Sequence, residues 1–272
     1  MPELPEVETT LRGIEPHIDQ QIITDIIVRN ASLRWPVPSD ELQTLIGKKV
    51  TQVERLAKYI LIHTDSGVIL LHLGMSGSLR ALTTEQAAEK HDHIDIVFAN
   101  NRVIRLNDPR RFGCCLLLQE PVKRHKLLAS LGPEPLSDDF NGDVLFKLSR
   151  GRSIPVKNFI MDGKVVVGVG NIYASESLFQ AGIRPTTSVK RISRARFEKL
   201  ATVIKAVLSK AITAGGTTLN DFTQADGKPG YFAQELQVYG RDKEPCNQCG
   251  TIIKSQVIGQ RNTFYCPQCQ TF

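Results

Sequence analysis

At 272 residues, with 41% hydrophobic and 23% charged content, the chain has the composition of a folded globular protein, which excludes a disordered or fibrous one. Lys and Arg outnumber Asp and Glu by 34 to 28, a formal charge of +6 that suits a polyanionic partner and equally fits an ordinary solvated basic surface. The acidic opening MPELPEVETT lacks a signal peptide's apolar stretch, and no apolar run approaches the ~18 residues of a membrane span, so a cytosolic protein with no membrane partner is expected.

In chain order, Pro5 followed by Glu6 and Glu8 predicts a helix over 5–18, because Pro is tolerated in a first turn and carboxylates oppose the helix dipole. From about 20 to 120 the runs ITDIIV, KYILIH, VILLHL, HIDIVF, VIRL and CCLLL read as strands, with turns at Ser66-Gly67 and Asn100-Asn101. This spacing predicts an antiparallel β-sandwich or barrel over 1–130, with Cys114 and Cys115 buried as small hydrophobes. The stretch LGPEPLSDDFNGD, rich in Pro, Gly and acid, marks a boundary near 131–143, and residues 131–150 read as a linker. A helical domain over 151–235 follows. In it VGVGNIYASESLFQAGIRP predicts a glycine turn, Asn171 as N-cap and a short helix stopped by Gly182 and Pro185. Phe197, Leu200, Val203, Ile204, Val207, Leu208, Ala211 and Ile212 then recur at helical spacing, and the polar, non-periodic stretch 217–234 reads as a loop.

The last segment, 236–272, carries Cys246-x-x-Cys249 and Cys266-x-x-Cys269, whose spacing lets two turns present four thiolates tetrahedrally to one zinc ion. With all four positions supplied by protein, no site remains for an activated water, so the zinc is expected to be structural. Between the pairs, Lys254, Arg261, Phe264 and Tyr265 alternate with apolar residues, a composition that suits a β-ribbon touching DNA. At the other end, removal of Met1 would expose the secondary amine of Pro2. Its attack on a sugar C1′ gives an iminium that cannot lose an N–H proton and so persists as an electron sink. Taken alone, Pro2 also reads as a residue that only shapes a terminus, and Glu3 as a surface acid near a helix start.

The segments Pro2-Glu3-Leu4-Pro5-Glu6-Val7-Glu8, His72-Leu73-Gly74-Met75-Ser76-Gly77, Asp108-Pro109-Arg110-Arg111-Phe112-Gly113 and Gly168-Val169-Gly170-Asn171-Ile172-Tyr173, with the closing cysteines, resemble the bacterial formamidopyrimidine-DNA glycosylases in content and order along the whole chain. The resemblance implies an α+β fold: an N-terminal antiparallel β-sandwich, a helical helix-two-turn-helix domain with a loop at 217–234 that closes over the damaged base, and a C-terminal zinc ribbon. It implies a monomeric base-excision enzyme that removes 8-oxoguanine and formamidopyrimidines from duplex DNA and then cuts the strand by β,δ-elimination. Pro2 then resembles the Schiff-base nucleophile and Glu3 the acid. Lys58 resembles the proton donor for β-elimination, and Arg261 the donor for δ-elimination. Met75, Arg110 and Phe112 resemble the residues that fill the void left by an extruded base. Lys157, Asn171 and the glycine turn before it match phosphate contacts, while His91 and Arg152 match weaker DNA-contact positions.

By residue type alone, Lys58 would be a solvated lysine, Met75 and Phe112 core residues, and Arg261 a plain phosphate contact. Charge and cysteines would also fit a non-catalytic zinc-ribbon nucleic-acid-binding protein, which leaves Pro2, Glu3 and Lys58 without a role. The sibling glycosylase for oxidised pyrimidines shares the Pro-Glu start, yet it typically has Gly where this chain has Leu4 and lacks the Met75, Arg110 and Phe112 arrangement. The oxidised-purine reading is therefore favoured.

Overall fold

The computed structural model describes residues 2–119, 121–217 and 235–272, and the chain divides into two units, Met1–Ala129 with Ala214–Ala233 and Ser130–Thr213 with Gln234–Phe272. The first unit opens with α1 (Leu4–Ile18), followed by β1 (Ile23–Val28), α2 (Ser39–Gln43), β2 (Val50–Leu56), β3 (Tyr59–Thr64), β4 (Gly67–His72), β5 (Ser78–Thr83), β6 (Asp92–Phe98), β7 (Arg102–Asn107) and β8 (Cys114–Leu118). The strands form two antiparallel four-stranded sheets, ordered β1-β6-β7-β5 and β2-β3-β4-β8. Alternation sets their inner faces: Ile94, Ile96 and Phe98 on β6 and Ile104 and Leu106 on β7 enter one core with Ile60, Ile62, Ile69 and Leu71. On α1, Val7, Leu11, Ile14 and Ile18 recur at three- and four-residue steps and join the same core, each fully buried chain stabilising by about 2 kcal/mol.

Away from that core, the sheet of β6 and β7 carries buried charge. Asp95 accepts hydrogen bonds from Arg29 at 2.6 Å and from Arg105 at 2.8 Å, and Asp92 accepts from Arg80 at 2.5 Å. Burial alone would raise the Asp95 carboxyl, but the hydrogen bonds and charges of Arg105 and Arg29 outweigh it and hold the carboxyl below its ordinary value. Arg105 also donates to the Gln86 and Ala87 carbonyls, and Asp92 accepts the Glu89 amide, which pins the turn ahead of β6.

The second unit comprises α3 (Gly142–Ser149), α4 (Val156–Ile160), α5 (Asn171–Ala181), α6 (Arg194–Thr213) and the ribbon strands β9 (Lys254–Ile258) and β10 (Arg261–Tyr265). Helix α3 corrects the expectation of a linker over 131–150. Asn141 caps it by accepting the Val144 amide at 3.0 Å, and it packs on α6 so closely that a Cβ at Gly142 would lie 2.4 Å from the Glu198 Cα. The N-cap of α5 is Gly170 and not Asn171, which is the first helical residue, and the helix ends at Gly182 with φ +72. Two strands, β2 and β5, lie in stretches that the hydrophobic runs did not mark. Of the expected closing loop over 217–234, Thr217 is described and residues 218–234 lie outside the described residues. Among the described residues no helix is long and apolar enough to cross a membrane.

Candidate functional site

The first unit contains Pro2, Glu3, Lys58, Met75, His91, Arg110 and Phe112. Pro2 and Glu3 are buried ahead of α1, with Glu3 in extended backbone at the helix N-cap. Glu6, in the first turn, accepts the Glu3 amide at 2.8 Å with one carboxylate oxygen and the Thr217 amide at 2.8 Å with the other. One buried side chain thus ties the start of the helix to the root of residues 218–234. Beside it, a Cβ on Gly216 would lie 3.2 Å from the same carboxylate, and the glycine sits at φ +81.

Lys58 occupies the second position of the two-residue turn that joins β2 to β3, since Leu56 pairs with Tyr59 across it. Ala57, the first position, has φ +57, a conformation in which an L-residue stores strain. Its carbonyl is held by Arg55 at 2.9 Å, and Arg55 in turn is held by Glu8 of α1 at 2.9 Å, which fixes the turn against the helix. Nearby, the His72 imidazole is held at about 4 from its ordinary 6.5, first by burial and then by the Lys58 and Arg34 cations, so it is neutral at physiological pH. Its Nδ1 accepts the Gly74 amide at 2.9 Å, which leaves Nε2 to carry the proton.

Met75 and the segment of Arg110 and Phe112 meet where Gly74 crosses the backbone of Phe112. A Cβ on Gly74 would stand 2.4 Å from the Phe112 carbonyl carbon, and its φ is +65, so only glycine fits. Phe112 is 43% exposed and Arg110 is exposed, its guanidinium 4.8 Å from the Phe112 ring centroid, while Met75 is half-buried. A core role for Phe112 is thereby set aside. His91, half-buried just before β6, stands with its ring 6.4 Å from that of His93.

The second unit holds Arg152, Lys157, Asn171, Arg261 and the cysteines. Lys157 of α4 is wholly buried, and its ammonium donates to Asn171 Oδ1 at 2.5 Å, Thr263 Oγ1 at 2.5 Å and the Asn262 carbonyl at 3.5 Å. It joins α4, α5 and β10 at a position that the resemblance matches to a phosphate contact. Asn171 Nδ2 donates to the Asn262 carbonyl at 3.0 Å and to the Tyr239 hydroxyl at 3.5 Å. Arg261 begins β10 and is exposed, just beyond the Gly259-Gln260 turn, whose residues have φ of +56 and +61 as a two-residue hairpin of the primed type demands. Arg152 is half-buried, its guanidinium 5.8 Å from the Phe159 ring.

The ligand atoms of Cys246, Cys249, Cys266 and Cys269 lie within 4.8 Å of one another. Each Cys-x-x-Cys turn is closed by an amide to the carbonyl of its first cysteine, from Gly250 to Cys246 at 2.9 Å and from Gln270 to Cys266 at 3.1 Å. Hydrogen bonds from Thr251 lower the Cys249 thiol to about 6, while burial, ahead of the neighbouring sulfurs, raises Cys266 and Cys269. Four converging sulfurs are the donor set of a structural zinc, which binds all of them as thiolates. Cys246 and Cys266 also pack with Phe179, Val238, Ile253 and Phe264, so the centre is continuous with a small apolar core. Cys114 and Cys115 stay apart from it: burial pushes the Cys114 thiol to about 11 and raises Cys115 as well.

Sequence reasoning read Glu6 only as a carboxylate opposing the helix dipole, without its tie to Thr217, and gave no role to Ser76, Asp108, Glu176 or Tyr239. Glu6 stands three residues after the N-cap, a position at which a capping carboxylate could have been foreseen. Glu176, buried on α5, accepts the amides of Gln237, Val238 and Tyr239 at 2.9, 3.0 and 2.9 Å, and burial raises its carboxyl despite those three donors. No local signal reveals partners 61 to 63 residues away.

Comparison with known proteins agrees along the chain. Residues 1–115 match the formamidopyrimidine-DNA glycosylase N-terminal domain, residues 131–223 the H2TH domain of the same enzymes, and residues 243–271 the zinc finger found in FPG and IleRS. Formamidopyrimidine-DNA glycosylases of Marinobacter nauticus and Alcanivorax borkumensis are each 57% identical over 270 residues, covering 99% of this chain and 100% of theirs. Among solved structures, the MutM (Fpg) protein of Thermus thermophilus matches with a TM-score of 0.88 at 33% identity, over 99% of this chain and 98% of that one. Lactococcus lactis Fpg complexed with abasic-site DNA matches with a TM-score of 0.90 at 32% identity, over 99% and 100%. The sandwich, the helical unit and the four-cysteine ribbon, matched from end to end, make this chain a member of the formamidopyrimidine-DNA glycosylase family.

Proposed function

We propose that this chain removes oxidised purines, 8-oxoguanine and formamidopyrimidines, from duplex DNA and then cuts the strand at the abasic site. The observation that carries this reading is its 57% identity to formamidopyrimidine-DNA glycosylases over 270 residues. With Met1 removed, the Pro2 amine attacks C1′ of the damaged nucleotide as the bond to the base breaks, and Glu3 supplies a proton as the sugar ring opens. The iminium acidifies the C2′–H bond, its proton passes to water, and the electron pair left behind forms C2′=C3′ and expels the 3′-phosphate by β-elimination with Lys58 as proton donor. The 5′-phosphate then leaves by δ-elimination with Arg261 as donor. The base must first leave the stack, at a cost of a few kcal/mol. Met75 and Phe112 offset it with apolar surface in the void, and Arg110 offers donors to the orphaned cytosine.

We assign the chemistry of attack to the β domain over 1–130, and the DNA grip to the helical domain over 151–235 and the ribbon over 236–272. Lys157, Asn171, Arg152 and His91 are the assigned backbone contacts. Lys157 contributes by holding Asn171 and β10 together, which its buried ammonium supports. Zinc in the ribbon is structural and holds Arg261 in place. The work belongs beside chromosomal DNA in the cytoplasm.

Borohydride trapping tests the reading. A covalent adduct is expected on a duplex with 8-oxoguanine opposite cytosine, and Pro2→Gly is expected to abolish it. No adduct on any damaged duplex would overturn the enzymatic reading, and stronger trapping on an oxidised pyrimidine would reassign the substrate class. An undiminished adduct in Pro2→Gly would remove Pro2 as nucleophile.

A further inference from the structure

Asp108 lies between the segments that carry Met75, Arg110, Phe112 and His91, yet it is wholly buried and bears a carboxyl group, not the cationic side chain that DNA attracts. Its contacts explain this. Oδ2 accepts the Gly113 amide at 2.7 Å, and Oδ1 accepts the Ser76 hydroxyl at 3.2 Å and the Arg110 amide at 3.3 Å. Its main chain binds a third segment: the Asp108 amide donates to the His91 carbonyl at 3.0 Å, and its carbonyl lies 2.8 Å from His93 Nε2. The turn at 74–77, the segment 110–113 and the entry to β6 therefore meet on one residue. Those three segments carry Met75, Arg110 with Phe112, and His91.

We propose that Asp108 is a positioning residue that locks these segments into one preformed wedge, an inference that rests on the glycosylase reading above. A wedge that enters a base stack is most effective when its side chains need no ordering on contact, because each chain immobilised during binding subtracts from the interaction. The carboxylate suits this task because both of its oxygens accept. An asparagine could satisfy Gly113 or the pair of Ser76 and Arg110, and its amide nitrogen would face donors on the other side. Gly74 and Gly113 complete the joint: a Cβ on Gly113 would lie 2.6 Å from the His72 carbonyl, so the strands meet without side chains between them.

The test compares Asp108→Asn and Ser76→Ala with the wild-type full chain. Amide hydrogen exchange of the free protein is expected to accelerate in both 74–77 and 110–113 for Asp108→Asn, and in 74–77 alone for Ser76→Ala. Excision from the 8-oxoguanine duplex should fall roughly tenfold or more in Asp108→Asn. Borohydride trapping on a single-stranded oligonucleotide with a preformed abasic site, which needs no wedge, should stay within about twofold of wild type. Unchanged protection at 74–77 in Asp108→Asn overturns the joint. Equal loss on the two substrates overturns the positioning role by exposing general damage. A wild-type protein inert on 8-oxoguanine would refute the glycosylase reading separately, and the exchange comparison would still decide the joint.

Discussion

His72 illustrates how a single side chain is set by its surroundings. Burial and the Lys58 cation lower it from 6.5 to about 4, so above pH 6.5 it is neutral whether folded or not and adds no pH dependence. Between 6.5 and about 4 the unfolded chain binds a proton that the folded chain refuses, so stability falls as pH falls, by up to about 3 kcal/mol at the lower limit. His72→Asn keeps an acceptor for the Gly74 amide and removes the titration. Urea unfolding across this range should show a flatter pH slope in the variant, and parallel slopes would exclude His72 as the source. Legibility at this scale follows distance along the chain. The cysteines are readable because their chemistry is local to two Cys-x-x-Cys turns, whereas the roles proposed for Pro2 and Glu3 come from the resemblance. Asp108 and Ser76 are not, because 32 residues separate two partners that only the fold brings together.

Among the elements, the sheet β1-β6-β7-β5 places buried Asp92, Asp95 and Arg105 in one ladder with the half-buried Arg80 and the exposed Arg29. The Asp95 carboxyl lies below its ordinary 3.8, so its contribution is present above about pH 4 and is lost as pH falls through the folded value. Asp95→Asn leaves the Arg105 guanidinium buried with reduced compensation and should destabilise by about 3 kcal/mol at neutral pH, with less further loss on acidification. Thermal melts from pH 7 to pH 3 would show it, and a variant as stable as wild type at pH 7 would deny the ladder any net weight. The strands legible from sequence, β1, β3, β4, β6, β7 and β8, are those with apolar runs. In contrast β2 fully buries only Val50 and Val53 and β5 buries Leu79 alone, so their mixed sequences carry a weak period. Helix α3 was masked by the Pro and acidic residues before it, although Asn141 supplied a readable cap.

At the scale of the molecule, the ribbon depends on metal and on a few apolar residues. Cys249→Ser should release zinc, loosen the packing of Phe179, Val238, Ile253 and Phe264, and weaken DNA binding and strand cutting by roughly tenfold or more. The first unit, with its own core, should melt as before. Calorimetry and metal analysis would check this, and a zinc-free variant that binds and cuts normally would contradict it. The order of domains and the zinc were legible from cysteine spacing and the change of period along the chain. The tie of Glu6 to Thr217 was not, because it spans 211 residues.

Lys157 and Glu176 have a consequence for how the protein is made. The Lys157 ammonium waits for Thr263, 106 residues downstream, and the Glu176 carboxylate for amides that begin 61 residues downstream. Synthesis runs from the N-terminus, so α4 and α5 leave the ribosome with a cation and an anion that lack most of their final partners. The first unit's sandwich can assemble while translation continues. The helical unit cannot close in the order in which it is written, and its nascent form must tolerate water around two groups that the finished protein keeps dry.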